Sequence, residues 1–508
     1  KKENPLLAFS AIKALELMGS PMATPHLIEI AQEKMFKRAA LEALGVISDI
    51  KALPCLLADF HSESENIRRV TLKALVTLGL KQEDENRELF RKLFREVYDE
   101  RDYLFLASVV NHADPLLKRS AIRALGWVSE VRSVSILIPL LSEYNLDVVA
   151  ALSEMGHLIL PELSKLLERG LWEDERTRQA AATIWGEVAD PTGVPFLLDL
   201  LKDNVAHVRE AAAVALGKIK SKATVLSLMA LLKDPYPEVQ EAAVASLLKM
   251  KSDIPEDELV LALQQKSAHL RANAAQLLGE LGLESAISDI AFLLKDSDED
   301  VRRAAVFALG RFPFQKIIRP ILSALGDEDY KVRVAVLKVL EQGEINSILE
   351  DLSPLVHDEN MWVRAQLSRT IGHVSGETGL NLLRRLVNDP TGVVQIAALS
   401  ALGTRKDGEI LSDLLKKLSS EDKDVKKAAI LALGTYGNPQ AIEALTPLLE
   451  HPHWGLRAAA VSALGNLSLT ADVVTSSSKI AAMADEDSDP LVRDAARFAL
   501  FRLRGGVM

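Results

Sequence analysis

An all-α fold, an α-α superhelix of about sixteen helix pairs spaced mostly 31 residues apart, is predicted by three features of the sequence. A ten-residue phrase recurs at a fixed period, an apolar segment with helical spacing precedes it in each unit, and no stretch shows the alternation a strand needs. At 301–310 the phrase reads "VRRAAVFALG", with Val301, Ala304, Ala305, Ala308 and Leu309 on one helical face. Gly310 is expected to end that helix in a left-handed conformation.

The phrase returns in chain order as "LKRSAIRALG" (117–126), "VREAAAVALG" (208–217), "VKKAAILALG" (425–434) and "LRAAAVSALG" (456–465). With the Arg302 position as anchor, equivalents fall at 8, 37, 68, 118, 148, 178, 209, 240, 271, 302, 333, 364, 395, 426, 457 and 493. The nine intervals from 178 to 457 are all 31 residues. The preceding segment, for example "SAISDIAFLLKD" (285–296), supplies the first helix of each pair. A helix pair cannot cover its own apolar face, so the pairs must stack, and residues 1–508 are expected to form a single solenoid.

Two intervals are longer. Between anchors 68 and 118 the surplus is "ENRELFRKLFREVYDE" (85–100), with Leu89, Phe90, Leu93, Phe94 and Val97 on one stripe. Residues 81–103 are therefore read as an inserted helix packed on the solenoid edge, a possible docking or regulatory element. Before anchor 493, "LSLTADVVTSSS" (467–478) reads as a polar loop. The first anchor, Ala8, has no preceding helix and would leave Leu6, Leu7 and Phe9 uncovered, so residues or a partner are expected to precede Lys1.

Sixty basic residues against seventy-one acidic ones leave a net charge of −11, which disfavours nucleic acid and anionic membranes as partners. The single cysteine, Cys55, lies in "ALPCLLADF" and reads as a buried, inert thiol, and its usage fits a reducing, cytoplasmic setting. The longest clean apolar run, "VSILIPLL" (134–141), is far below the roughly 20 residues of a membrane span, and no signal peptide is legible.

The repeated phrase resembles HEAT repeats of the phycobilisome-lyase type over nearly the whole chain, and that resemblance implies an armadillo-type solenoid with its second helices lining a concave face. The anchor is Lys or Arg in most units, which at first suggests a phosphate-binding stripe. Six residues upstream, however, stand acids: Asp203 before Arg209, Asp296 before Arg302, Asp327 before Arg333, Asp358 before Arg364 and Asp487 before Arg493. They sit in the turn that begins the second helix, where a carboxylate caps free amides. HEAT families use a similar Asp–Arg pair as a ladder between repeats, which implies a structural role for this set, worth about 0 to 1 kcal/mol per rung if solvent reaches it. Gln240 and Gln395, at two anchors, can still hydrogen-bond an Asp.

Function is then expected on positions the fold leaves free. With the core at anchor −1, +2, +3, +6 and +7, the opposite face falls to +1, +5 and +8. From anchor 302 onward, +1 and +5 hold no acid: Arg303 and Phe307, Val334 and Lys338, Ala365 and Arg369, Ile396 and Ser400, Lys427 and Leu431, Ala458 and Ser462. A basic and apolar groove over 302–465, built on Arg303, Phe307, Val334, Lys338, Arg369, Ile396, Lys427 and Leu431, suits an acidic or amphipathic segment of a partner protein. Tyr236, Tyr330, Trp362 and Trp454, just before second helices, are candidate interface anchors or seam covers.

Enzyme chemistry finds little support. None of the ten histidines precedes Glu, so the His-Glu dipeptides of deoxyhypusine hydroxylases are missing. No continuous basic track or Asp–Trp constellation of an alkylpurine glycosylase is legible, and no phosphate loop, nucleophile elbow or zinc spacing appears. "HPHW" (451–454) offers two histidines without a nearby third donor, a poor metal site. The expectation is a non-catalytic scaffold or adaptor with no cofactor and no metal. A bilin-lyase-like or chaperone-like subunit acting on a protein client, and a nucleic-acid-binding protein, are the alternatives.

Overall fold

A computed structural model describes residues 5–168, 174–405, 409–467 and 474–503. All regular structure among them is helical. Contacts divide the chain into two units, Lys1–Ile254 and Pro255–Met508, a boundary the period alone did not mark.

In the first unit the second helices are Pro5–Met18, Lys37–Ile47, Glu65–Leu80, Pro115–Trp127, Leu141–Glu154, Glu175–Val188, Ala206–Ile219 and Pro237–Leu248. In the second they are Ala268–Leu281, Glu299–Leu309, Tyr330–Leu340, Met361–Ile371, Gly392–Thr404, Lys423–Tyr436, Trp454–Leu467 and Pro490–Leu503. Each carries one of the sixteen anchors. Within a unit, consecutive second helices lie side by side and make the most extensive contacts, while each first helix packs on its own partner. First helices are short and several finish as 3-10 turns: Leu349–Leu352 runs into Ser353–His357, and Ile287–Phe292 into Leu293–Lys295.

The second helix is more buried than its heptad pattern suggests. Position +4, which the pattern left unassigned, is wholly buried at Val306, Leu337, Ser368, Leu399, Ile430 and Val461. Ala365, expected on the free face, is also buried.

Gly310 corrects the reading of the phrase's last residue. Its φ of −60° and ψ of −11° are right-handed helical, and the left-handed turns fall elsewhere, at Ser48, Ala189 and Lys220, for instance. The glycine is there for space. A Cβ on Gly45 would lie 2.5 Å from the Ala74 Cα, and one on Gly434 2.6 Å from the Ala463 Cα. The Gly of one phrase thus packs on the +6 residue of the next, an Ala for Gly45 and Gly434 and Val339 for Gly310, and +8 does not belong to the free face.

Arg302 shows what the anchor does. Its Nε and Nη2 donate to Asp327 Oδ2 and Oδ1 of the next unit at 2.8 and 2.9 Å, and its Nη1 donates to the Asp296 carbonyl of its own unit at 2.9 Å. The same fork joins Arg178 to Asp203, Arg209 to Asp234, Arg271 to Asp296, Arg333 to Asp358, Arg364 to Asp389 and Arg457 to Asp487. Arg493 bonds the Asp487 carbonyl at 2.6 Å and, among the described residues, has no carboxylate within 4.0 Å. The ladder acids do not cap the second helix. Asp296 and Asp327 accept from the amides of Asp298 and Asp329, two residues on; those residues, with Asn360, then cap the helices. Gln240 and Gln395 donate to the main-chain carbonyls of Asp234 and Asp389, both at 2.6 Å, because the carboxylates are taken by the preceding unit's arginines. Solvent does not reach the central rungs: the Arg302 and Asp327 side chains are each 7% exposed. The surface-pair value therefore does not describe them: removing one partner of a buried pair costs more, because it strands the other charge.

The ladder ties stability to pH. For Asp203, Asp296 and Asp389 burial pushes the carboxyl up, but the arginine bonds and turn amides outweigh it; for Asp487 the Arg457 bond dominates; all four lie below the ordinary carboxylate value. The unfolded chain, with Asp near about 3.9, then holds more protons than the folded one just below that pH. The rungs' contribution is complete above it and is lost as pH falls through the depressed folded values. Asp102 and Glu154, pushed up chiefly by burial, work in the opposite sense. The melting temperature is expected to hold from pH 7 to about 4.5 and then drop; a decline beginning near pH 6 would assign acid sensitivity to other groups.

The surplus at 81–103 contains the helix Asp84–Val97. Phe90 and Phe94 are buried, Phe90 edge-on to Trp127 at 5.1 Å and Phe94 to Phe60 at 5.5 Å, and Arg91 reaches Glu154 at 2.8 Å. Leu89 stays exposed. Arg68 bridges the surplus, pairing with Asp102 at 2.8 Å. The expected loop 467–478 is shorter than read: Val474–Glu486 is helical because Ile480 and Ala484 bury one face, and residues 468–473 lie outside the described set, as does Lys1.

The run Val131–Glu154 has the length and apolar character of a membrane span. Its helix is broken by a 3-10 turn at Ile138–Leu140 and by a non-helical Tyr144, and Val134, Leu137, Leu141, Val148 and Leu152 are buried inside the protein. Cys55 is half-buried rather than fully so; burial and then the Asp59 charge push its thiol up, keeping it protonated.

Candidate functional site

In the second unit, three neighbouring second helices frame a cleft of about 420 Å³. Asp298 starts Glu299–Leu309 by accepting from the Asp300 and Val301 amides, Asp329 starts Tyr330–Leu340 through the Lys331 amide, and Asn360 starts Met361–Ile371 through the Trp362 amide. The ladder locks the three in register, so their +1 and +5 side chains converge. Arg303, Phe307, Val334, Lys338 and Arg369 line the cleft, and Tyr330 and Trp362 join them from the turns.

Sequence reasoning missed Lys331, Ala335 and Gln366, which complete the lining. Lys331 follows Tyr330 directly, on the helix's first turn. Gln366 had been assigned to the core, and its burial agrees, yet its amide donates to Glu341 at 2.7 Å while its oxygen accepts from Arg369 at 3.3 Å. That relay holds the Arg369 guanidinium over the cleft. Phe307 and Trp362 remain 45% and 47% exposed, an uncovered apolar floor.

Four cationic side chains surround this floor. Arg303 is bound to Asp300 at 2.7 Å. Among the described residues no carboxylate lies within 4.0 Å of the Lys331 or Lys338 ammonium. The first unit differs: a cleft of about 360 Å³ there has Arg38 on Glu42, Arg69 on Glu65 and Lys73 on Asp114, and a smaller one of about 120 Å³ has His207 beside Glu210 and Lys218 on Glu187. At +1 the arginines are paired in both units, but at +5 Lys73 is paired with Asp114, while among the described residues Lys338 and Arg369 have no carboxylate within 4.0 Å.

Ile396, Lys427 and Leu431 continue the same face, half-buried or exposed, but do not line the cleft. Tyr236 covers a rung, with the Arg209 guanidinium 5.6 Å from its ring, and Trp454 stacks on His453 at 6.1 Å. His451 and His453 use Nδ1 to accept from the amides of His453 and Gly455, so both serve the turn. One group, His61 with Asp99 and Asp102, could gather around a metal. There Asp99 and Asp102 form a reciprocal helix cap, and the Arg68 guanidinium already stands 2.8 Å from Asp102, where a cation would have to sit.

A family model for HEAT repeats matches residues 160–248, 290–347 and 411–500. No curated protein matches the sequence. Solved structures of similar fold include importin beta crystallised from polyethylene glycol, 15% identical, covering 99% of this chain and 80% of that one with a TM-score of 0.46. Yeast importin-beta, Kap95p, is 14% identical over 99% of this chain and 83% of that one, with a TM-score of 0.39.

Proposed function

We propose that this chain is a non-catalytic scaffold or adaptor, and that the cleft from Arg303 to Arg369 receives an acidic, amphipathic segment of a partner protein. The observation that supports it is the charge of Lys331, Lys338 and Arg369, none of which has a carboxylate within 4.0 Å among the described residues, around the exposed Phe307 and Trp362. Apolar side chains of the segment would fill the floor, and its carboxylates would meet the rim. Placing the repeats among those of the phycobilisome-lyase type remains a proposal carried by the repeated phrase. It brings with it no feature of this cleft that favours a bilin or a nucleic acid; the positive charge spans three helices in a chain of net charge −11.

The test is binding of a labelled acidic amphipathic peptide and of its basic counterpart. The acidic peptide is expected to bind in a salt-sensitive way, and Lys338→Glu with Arg369→Glu to weaken it by about tenfold or more with melting unchanged. Undiminished affinity in that variant, or equal binding of the basic peptide, rejects the reading.

A further inference from the structure

Among the described residues, one basic anchor followed by a further repeat has no acid to meet. Apart from Arg493, the other basic anchors find a carboxylate in the following repeat, and this holds for lysines too: Lys37 meets Asp59 at 2.6 Å and Lys118 meets Glu143 at 4.0 Å. Lys426 does not. Among the described residues no carboxylate lies within 4.0 Å of it, and the position that should supply one is His451.

His451 occupies the acid's place in every other respect. Arg457 Nη1 donates to the His451 carbonyl at 3.0 Å, as Arg302 does to Asp296 at 2.9 Å. His451 Nδ1 accepts from the amide two residues on at 3.0 Å, as Asp296 Oδ1 does at 3.0 Å. One ring nitrogen thus reproduces one carboxylate oxygen. Because Nδ1 accepts, the proton of the neutral ring sits on Nε2. The second oxygen, which elsewhere accepts from the anchor, is thereby replaced by a donor. Burial, then the charges of Lys426, His453 and Lys423, hold the imidazole below its ordinary value. Asp422, at the start of the same helix, is committed to the Asp424 and Val425 amides. Donors face donors here, and among the described residues Lys423, like Lys426, has no carboxylate within 4.0 Å of its ammonium.

We propose that a phosphate-type oxyanion binds between Lys426 and His451, in the place of the missing ladder carboxylate, with Lys423 as the second ammonium. A dianion matches two lysines and an Nε2–H better than a single carboxylate does, and lysine serves phosphate as a point charge. Such an ion closes the rung between the helices Lys423–Tyr436 and Trp454–Leu467, so occupancy sets how firmly these two repeats are held.

Melting of the full chain tests this. Inorganic phosphate is expected to raise the melting temperature saturably, by about 2 °C over chloride at matched ionic strength. His451→Asp is expected to raise it without phosphate and to abolish the response, because its carboxylate meets Lys426 directly. An equal response to O-phosphoserine assigns the site to phosphate carried on an organic group; a response to inorganic phosphate alone assigns it to the free ion. No shift beyond chloride with either, or a shift that survives both His451→Asp and Lys426→Gln, overturns the proposal.

Discussion

Arg302→Ala is expected to destabilise the second unit by about 3 kcal/mol, a loss typical of removing one partner from a buried ion pair. The guanidinium fork holds Asp327 through two bonds of 2.8 and 2.9 Å and the Asp296 carbonyl through a third of 2.9 Å. Its removal leaves the Asp327 carboxylate, 7% exposed, with only the Asp329 amide at 2.9 Å. The cost is mostly that stranded charge. It follows that Arg302→Met combined with Asp327→Leu should recover most of the loss, since well-packed apolar groups can replace a buried pair nearly neutrally. Because repeat arrays unfold piecewise, hydrogen exchange is the sharper reading: protection should fall first in Glu299–Leu309 and Tyr330–Leu340. Unchanged melting together with lost partner affinity would make Arg302 a binding residue instead.

The anchor was legible because the ladder is local in register: from Arg178 to Arg364 each arginine rung joins residues 25 apart, inside one 31-residue period, so a basic anchor and an acid recur at fixed offsets. Its burial was not legible. Whether water reaches Arg302 depends on how closely two helices approach, and spacing along the chain does not encode that distance. The cleft divides in the same way. Positions +1 and +5 marked Arg303, Phe307, Val334, Lys338 and Arg369 correctly as one face. The entry of Lys331, Tyr330 and Trp362 into the lining follows from packing between helices. The insertion shows the limit most clearly. Leu89, Phe90, Leu93, Phe94 and Val97 share a stripe, yet only Phe90 and Phe94 are buried, because the aromatic cluster of Phe60 and Trp127 offers room for two rings.

Gly403→Ala brings out the other half of the repeat. On an isolated helix the change would favour the fold by about 1 kcal/mol, since alanine is the better helix former. In this chain the new Cβ would lie 2.8 Å from the Ala432 Cα and 2.9 Å from both its Cβ and its carbonyl oxygen. Backbone cannot rotate away as a side-chain tip can, so Gly392–Thr404 and Lys423–Tyr436 must move apart. That opens the interface on Leu399, Leu402, Ile430 and Leu433, all fully buried. A net loss of about 2 kcal/mol is expected, within the range for overpacked cores. Ala432→Gly in the same chain removes the Cβ contact and should restore part of it, which a chain-wide propensity effect would not do. Gly326→Ala is the control: nothing lies within 4 Å of its Cβ position and its φ is not positive, so its stability should match or slightly exceed that of the parent. If Gly403→Ala and Gly326→Ala melt alike, the phrase's glycine is a helix terminator after all, and the close approach of neighbouring repeats is not what its position serves.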